Sequence, residues 1–131
     1  MVSSYTAIAN GGYQIKPYAI NNITDNYNNI LYQTEYYKEK ILNKKIAKKI
    51  SNLLHGVVIW GTGKNAQING ITVSGKTGTS QDYRDAWFIG YTEDLVLGIW
   101  LGNDQNKPLE NISGGSYPAL LFADILYQYY K

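Results

Sequence analysis

The chain has 131 residues, no Cys, and 12 Lys and Arg against 10 Asp and Glu, which gives a formal net charge of +2. This length fits one domain, and the near balance of charge argues against a nucleic-acid partner. The lack of Cys excludes disulfides and thiolate metal sites. No apolar run approaches the roughly 18 residues that a membrane span requires, and the first residues lack the pattern of a signal peptide, so we expect no signal or anchor in this chain.

The first third of the chain predicts a short helix followed by exposed strands. Apolar residues recur at helical spacing over residues 2–10, and Gly11 and Gly12 supply the left-handed backbone that ends a helix. Residues 13–32 are rich in β-branched and aromatic residues but are broken by Asn and Pro, which predicts a hairpin or irregular strands. The Lys-rich residues 38–49 are interpreted as the solvated face of a helix.

The next segment carries the clearest helix pattern. Asn43 is a suitable N-cap, and the helix is expected to end at the Gly-Thr-Gly turn of residues 61–63. The single histidine, His55, lies off the apolar stripe, so we expect a surface or helix-end role for it instead of a catalytic one. The predicted apolar stripe contains Ile46, Ile50, Leu53, Leu54, Val57 and Val58.

Three strand-like runs follow, at residues 71–79, 86–92 and 95–102. The last two are joined by a turn at residues 93–94, so the three runs predict an antiparallel meander. After the polar loop of residues 103–116, Pro118 can open a final helix. The buried side of that helix is expected to hold Leu121, Ile125 and Leu126. Trp60, Trp87 and Trp100 are expected to be buried aromatic residues of the sheet and helices, with the lining of a substrate cleft as the alternative.

This order of elements predicts an α+β fold, with helices packed against one face of an antiparallel sheet. Residues 1–131 are expected to form a single unit, since nothing in the sequence repeats or marks a linker. We expect no metal site, because Asp104 and Asp124 have no His or Glu close by in the sequence.

The sequence Ser-Gly-Lys-Thr-Gly-Thr at residues 74–79 gives the first of these predicted strands side chains that could bind a ligand. Alternation puts Lys76 and Gly78 on one face of the strand and Thr77 and Thr79 on the other. A cation beside hydroxyls suits the binding of an anion or a carbonyl group, and a glycine in a strand often marks close approach by a ligand or another backbone. The alternative is that Lys76 only protects an exposed edge strand from pairing, and the residues alone leave both interpretations open.

A second alternative is a nucleotide site. Residues 70–77 satisfy the phosphate-loop pattern G-x-x-x-x-G-K-[ST], and Asp104 follows an apolar run as a magnesium-binding acid would. The mechanism of that loop requires a helix that begins at the lysine and points its N-terminus at the phosphates. Strand-forming residues fill positions 71–74, and the residues behind Lys76 are poor helix formers, so we disfavour this interpretation.

Two neighbouring segments carry a family resemblance. Gly-Lys-Thr-Gly-Thr at residues 75–79 and Asp-Ala-Trp-Phe-Ile-Gly-Tyr-Thr at residues 85–92 resemble the third active-site motif and the following strand of class A (bifunctional) penicillin-binding proteins. Four further segments are similar to this family in the same order: residues 7–12, 61–63, 98–104 and 113–116. The chain therefore resembles the C-terminal part of the transpeptidase domain of this family, which belongs to the serine β-lactamase and penicillin-binding superfamily.

The resemblance implies a partial β-lactamase or transpeptidase-like fold and a part in a D,D-transpeptidase that cross-links peptidoglycan stem peptides and reacts with β-lactams. Lys76 would act with the second serine motif of such a domain. Thr77 and Thr79 would hold the substrate carboxylate, the Thr79 backbone N–H would contribute to the oxyanion hole, and Gly78 would let the acyl donor lie against the strand. The resemblance implies no cofactor, and a parent protein at the outer (periplasmic) face of the bacterial inner membrane.

The sequence departs from the family in one respect, which is the nucleophile. No serine is followed by Lys three residues later, and none begins a Ser-x-Asn triplet, so the chain lacks an activated attacking group. We expect it to be inactive alone and to need the N-terminal part of the domain as a partner; the alternative is a non-catalytic binding or assembly remnant of the same fold. The serines tested are Ser3, Ser4, Ser51, Ser74, Ser80, Ser113 and Ser116.

Overall fold

The computed structural model describes all 131 residues, which form three α-helices and seven strands. Helical and sheet segments follow one another in the predicted order, so the α+β fold is confirmed. In chain order the elements are α1 (Val2–Ala9), β1 (Tyr13–Ile15), β2 (Asn22–Thr24), β3 (Ile30–Gln33), β4 (Lys38–Lys40), α2 (Lys44–Ile59), β5 (Ser74–Thr79), β6 (Asp85–Tyr91), β7 (Val96–Gly102) and α3 (Tyr117–Tyr129), with 3₁₀ turns at Lys64–Ala66 and Gln81–Tyr83.

The central sheet is the predicted antiparallel meander, in the order β5-β6-β7. Thr77 of β5 lies opposite Phe88 of β6, which lies opposite Ile99 of β7. The first strand begins later than the sequence predicts. Residues 71–73 precede it, and Ile71 makes only an isolated bridge to Ile68 around the turn at Gly70.

The main core lies on the face of the sheet that carries Phe88. The rings of Phe88 and Phe122 are both fully buried, and they meet edge to face with centroids 4.9 Å apart. Gly90 leaves room for this pair, since a Cβ there would lie 2.7 to 2.9 Å from the two rings. The buried cluster consists of Val58, Ala66, Val73, Phe88, Ile99, Ala119, Phe122 and Leu126.

Helices cover both faces of the sheet, whereas the sequence analysis placed them on one. Helix α3 packs on the Phe88 face through Phe122. Helix α1 packs on the opposite face, where a Cβ on Gly98 would lie 2.5 Å from Val2 Cγ2. The short pattern of α1 predicts a helix but carries no information about which face of the sheet it joins.

Helix α2 begins as predicted, because the Asn43 side chain accepts a hydrogen bond from the Lys45 N–H at 2.8 Å. The predicted apolar stripe is partly wrong, since Ile46 is 50% and Leu53 74% exposed. The helix turns a face with small and polar residues toward its neighbours, and that face buries Ala47 and Val58. The Lys-rich run is also divided, because Lys38–Lys40 form β4 and only the later lysines belong to the helix.

His55 is partly buried near the C-terminal end of α2, so it has the helix-end position that was one of the two expected from the sequence. Its Nδ1 lies 2.7 Å from the Val73 carbonyl oxygen. A carbonyl can only accept, so Nδ1 donates the hydrogen in this bond. His55 thus joins a helix to the sheet.

Helix α3 is present, but its buried face differs from the predicted one. Leu126 is buried as expected, whereas Leu121 and Ile125 are 42% and 38% exposed. Phe122 and Ala119 occupy the core instead, since Phe122 fills the space beside Phe88. Burial is also wrong for two of the tryptophans: Trp60 is 77% and Trp100 50% exposed.

Two short ribbons confirm the irregular strands predicted near the N-terminus. Strand β1 pairs with β4, and β2 pairs with β3, both antiparallel. These strands are largely exposed.

No helix is both long and apolar enough to cross a membrane.

Candidate functional site

The site predicted from the sequence lies on β5, which is an edge strand of the central sheet. Thr77 and Thr79 lie opposite Phe88 and Ala86, on the core face. Lys76 lies opposite Ile89, on the other face. The alternation of side chains along this strand is therefore as predicted.

The free edge of β5 presents backbone N–H groups to solvent. The Ser80 N–H donates to the Asp85 carbonyl at 2.9 Å, so this group points toward β6. Neighbouring residues of an antiparallel strand point their backbone groups in opposite directions. The N–H groups of Thr79 and Thr77 consequently point away from β6, to the open side.

Lys76 is exposed, and its ammonium group bends over this edge. Lys76 Nζ donates to the Thr77 carbonyl oxygen at 2.8 Å and lies 3.3 Å from Thr77 Oγ1. A hydrated, flexible ammonium held only by two neighbouring oxygens can turn to an incoming anion at low cost. Cation, hydroxyls and free N–H groups therefore share one edge.

Thr62 reaches the same site from the turn at residues 61–63. Its Oγ1 lies 2.7 Å from Thr77 Oγ1. The turn closes tightly on α2, since the Gly63 N–H donates to the Val57 carbonyl at 3.0 Å and a Cβ on Gly61 would lie 2.9 Å from Val57 Cα. Sequence reasoning noted this turn but missed Thr62 as a site residue; a hydroxyl between two glycines at the end of a helix was the available signal.

The Gly-Gly loop, which comprises residues 113–116, also reaches this part of β5. The Gly114 N–H donates to Thr79 Oγ1 at 3.1 Å. The Asn65 side chain donates to the Gly115 carbonyl at 2.8 Å, which links the loop to the segment after Thr62. The structure therefore gathers two distant segments, residues 61–65 and the Gly-Gly loop, around the two threonines of β5.

The interpretation of residues 70–77 as a nucleotide site is wrong, because the backbone at Lys76 is a strand and not the start of a helix. Lys76 lies within β5, which continues as a strand to Thr79, so no helix N-terminus faces a phosphate there. Asp104 lies in the turn after β7. No group of three or more His, Asp or Glu side chains is placed to hold a metal ion.

One buried polar group lies beside the start of β5 without a partner. Tyr91 faces Ser74 across the β5–β6 pair, and its buried hydroxyl lies near the Ser51 and Ser74 side chains but in no geometry that makes a hydrogen bond. Burial raises the pKa of the Tyr91 phenol above its ordinary value. The Ser74 hydroxyl, in contrast, has a hydrogen-bond partner, because it donates to the Ser51 carbonyl at 3.1 Å.

Comparison with known proteins identifies the family. The family described as penicillin binding protein transpeptidase domain matches residues 1–127. Over 120 residues the chain is 35% identical to penicillin-binding protein 1A of Aquifex aeolicus, an alignment that covers 92% of this chain and 16% of that relative. The D,D-transpeptidase domain of a peptidoglycan glycosyltransferase from Eggerthella lenta is similar at 28% identity with a TM-score of 0.76, covering 97% of this chain and 31% of that one.

The fold is also similar to penicillin-binding protein A from M. tuberculosis in its imipenem acyl-enzyme complex. The TM-score is 0.81 at 19% identity, and the match covers 99% of this chain and 30% of that one. The chain thus spans less than a third of each of these proteins, and the matched part has the fold of penicillin-binding transpeptidase domains. The chain therefore belongs to the penicillin-binding protein transpeptidase family.

Proposed function

We propose that residues 1–131 form the C-terminal part of a penicillin-binding D,D-transpeptidase domain and line one side of its active site with β5. The observation that carries this proposal is the open edge of β5, where Lys76 Nζ lies 3.3 Å from Thr77 Oγ1 and the Thr79 N–H points to solvent. Strands with one open edge can bind an extended peptide by backbone hydrogen bonds. The family to which this chain belongs supports a peptidoglycan stem peptide as the ligand of β5.

Each site residue has a role that fits its position. The hydroxyls of Thr77 and Thr79 bind the terminal carboxylate of the stem peptide or of a β-lactam. Lys76 adds positive charge and acts with the second serine motif. Gly78 keeps the strand free of a side chain where the acyl donor lies, and the Thr79 N–H stabilises the negative charge on the carbonyl oxygen in the tetrahedral intermediate.

The reaction needs an activated serine, and no serine of this chain is followed by Lys three residues later or begins a Ser-x-Asn triplet. In the proposed reaction the serine oxygen attacks the carbonyl carbon, the D-alanine amine leaves with a proton, and a second amine then attacks the ester and releases the serine. Two serines of β5 and its end have structural partners: the Ser74 hydroxyl donates to the Ser51 carbonyl, and Ser80 Oγ accepts from the Asp85 N–H at 2.7 Å. We therefore assign the nucleophile to the remainder of the domain. We place the parent protein at the outer face of the bacterial inner membrane.

Covalent labelling with a fluorescent penicillin tests the proposal. The chain is incubated with the reagent alone and as the completed domain, in which it is combined with the serine-bearing part of a penicillin-binding transpeptidase domain. Label on the serine-bearing part that depends on this chain supports the proposal. Label on this chain alone would contradict the assignment of the nucleophile, and no label in the completed domain would favour a non-catalytic assembly role.

The Lys76→Met variant is the matched control for the labelling experiment. It keeps the length of the side chain and removes the charge, so it distinguishes a ligand-binding lysine from one that only protects the strand edge. A completed domain with Lys76→Met is expected to label poorly. Equal labelling of both forms would assign Lys76 to edge protection.

A further inference from the structure

The Thr79 hydroxyl has one of its acceptor sites filled, and its donor is free. Its oxygen accepts from the Gly114 N–H at 3.1 Å, and it makes no other hydrogen bond in the chain. A hydroxyl has one donor and two acceptor sites. Since the Gly114 N–H occupies an acceptor site, the O–H proton of the exposed Thr79 remains available to a ligand.

The Gly-Gly loop reaches Thr79 because two glycines let its backbone lie directly on the sheet. A Cβ on Gly114 would lie 2.1 Å from the Trp87 carbonyl oxygen and 2.6 Å from that of Gly78. A Cβ on Gly115 would lie 2.2 Å from the Thr62 carbonyl oxygen. These distances are too short for any side chain, so the contact requires glycine at both positions.

Polar contacts hold this loop in place. Ser116 Oγ accepts from the Ser113 N–H at 2.9 Å and donates to the Ser113 carbonyl at 2.8 Å. The Asn65 side chain holds the Gly115 carbonyl at 2.8 Å. Helix α3 follows at once, and its first buried residues, Pro118 and Ala119, tie the loop to the core.

From these contacts we infer that the Gly-Gly loop positions the Thr79 hydroxyl as a hydrogen-bond donor to the substrate carboxylate. This inference rests on the proposed function, which assigns Thr79 to that carboxylate. Gly114 and Ser116 are positioning residues, because neither needs to touch the substrate. A donor that is oriented before binding loses less rotational freedom when the anion arrives, so it stabilises the bound carboxylate more strongly.

The test compares Ser116→Ala with Ser113→Ala in the completed domain. Ser113 contributes only backbone atoms to the loop, so its variant is a matched control. Acylation rates are measured with a penicillin that carries its free carboxylate and with the methyl ester of the same penicillin. We expect Ser116→Ala to lower the rate about fivefold for the carboxylate and less than twofold for the ester, and Ser113→Ala to change neither.

A second variant and a double mutant separate positioning from a general loss of structure. Asn65 is exposed, and Asn65→Ala removes the other side-chain hydrogen bond to the loop. This variant is expected to show the same selective loss of acylation rate with the carboxylate probe. In a Thr79→Val background, Ser116→Ala should have no further effect, because the hydroxyl that it positions is gone. Equal losses with both probes, or an undiminished effect in the Thr79→Val background, would overturn the inference.

Failure of the proposed function gives a different result. A wild-type completed domain that neither probe acylates would remove the proposed function and this inference with it. A wild-type domain that is acylated, beside a Ser116→Ala variant that treats the two probes alike, would remove the inference alone.

Discussion

The hydroxyl oxygens of Thr62 and Thr77 lie 2.7 Å apart and connect the end of α2 to the edge strand β5. Only one of the two hydroxyls can donate in this bond, so the other keeps its proton for a ligand. Lys76 Nζ lies 3.3 Å from the same Thr77 Oγ1. Thr62 therefore helps to fix the direction of the Thr77 hydroxyl.

Replacing Thr62 by Val is expected to lower the acylation rate of the completed domain about fivefold, because the variant keeps the shape of the side chain and loses one hydrogen bond. Thr62→Ser retains the hydroxyl and is expected to react at nearly the wild-type rate. The measurement is the rate of labelling by fluorescent penicillin. A Thr62→Val domain that labels as fast as wild type would show that the hydroxyl pair has no part in the site.

Lys76→Met is expected to change the stability of the chain by no more than about 0.5 kcal/mol, since the residue is exposed. The same substitution is expected to lower the labelling rate of the completed domain about 100-fold, because the proposed function requires the positive charge of Lys76 in the site. Urea denaturation and labelling together check both parts. Lys64→Met, at an exposed lysine outside the strand, is the control and should leave both values unchanged.

Phe122→Ala is expected to destabilise the chain by about 3–5 kcal/mol, because it opens a cavity against the Phe88 ring, 4.9 Å away. The adjacent Leu121→Ala is the matched control. Leu121 is 42% exposed, and its truncation should cost less than about 1 kcal/mol. Urea denaturation of both variants measures the difference, and equal losses would mean that α3 buries the face expected from the sequence.

Tyr91→Phe is expected to stabilise the chain by about 1 kcal/mol at neutral pH, since it removes a buried hydroxyl that has no partner. Burial raises the pKa of Tyr91 above the ordinary value of 10.0, so the folded state binds the phenolic proton more tightly than the unfolded state. The stability that comes from this tighter proton binding is present below pH 10 and is lost as the pH rises above it. Wild type should therefore lose more stability than Tyr91→Phe on going from pH 9 to pH 11.

Tyr117→Phe serves as the control for this pH dependence, because Tyr117 is 61% exposed. Its stability profile is expected to follow that of wild type. Free energies of unfolding from urea titrations at several pH values give the comparison. Parallel profiles for wild type and Tyr91→Phe would contradict the assignment.

The sequence predicted the parts of the fold that depend on local pattern. The meander of β5, β6 and β7 follows from alternation and short turns, and Asn43 marks the start of α2 by a bond to Lys45, two residues away. The stripe of α2 was partly wrong because its inward face is not uniformly apolar. The His55 ring on this face donates to the Val73 carbonyl.

The candidate site was predicted only in part for a related reason. Lys76, Thr77, Gly78 and Thr79 are adjacent in sequence, so their alternation could be read from the pattern. Gly114 meets Thr79 from 35 residues away, and its bond involves only a backbone N–H. Nothing in the pattern of a Gly-rich loop indicates which strand its backbone will contact.

A crystal structure of the completed domain after reaction with benzylpenicillin would show directly whether β5 binds the ligand. We predict that the penicilloyl carboxylate lies within hydrogen-bond distance of the Thr77 and Thr79 hydroxyls, with the acyl carbonyl oxygen facing the Thr79 N–H. An adduct whose carboxylate lies away from the open edge of β5 would contradict it.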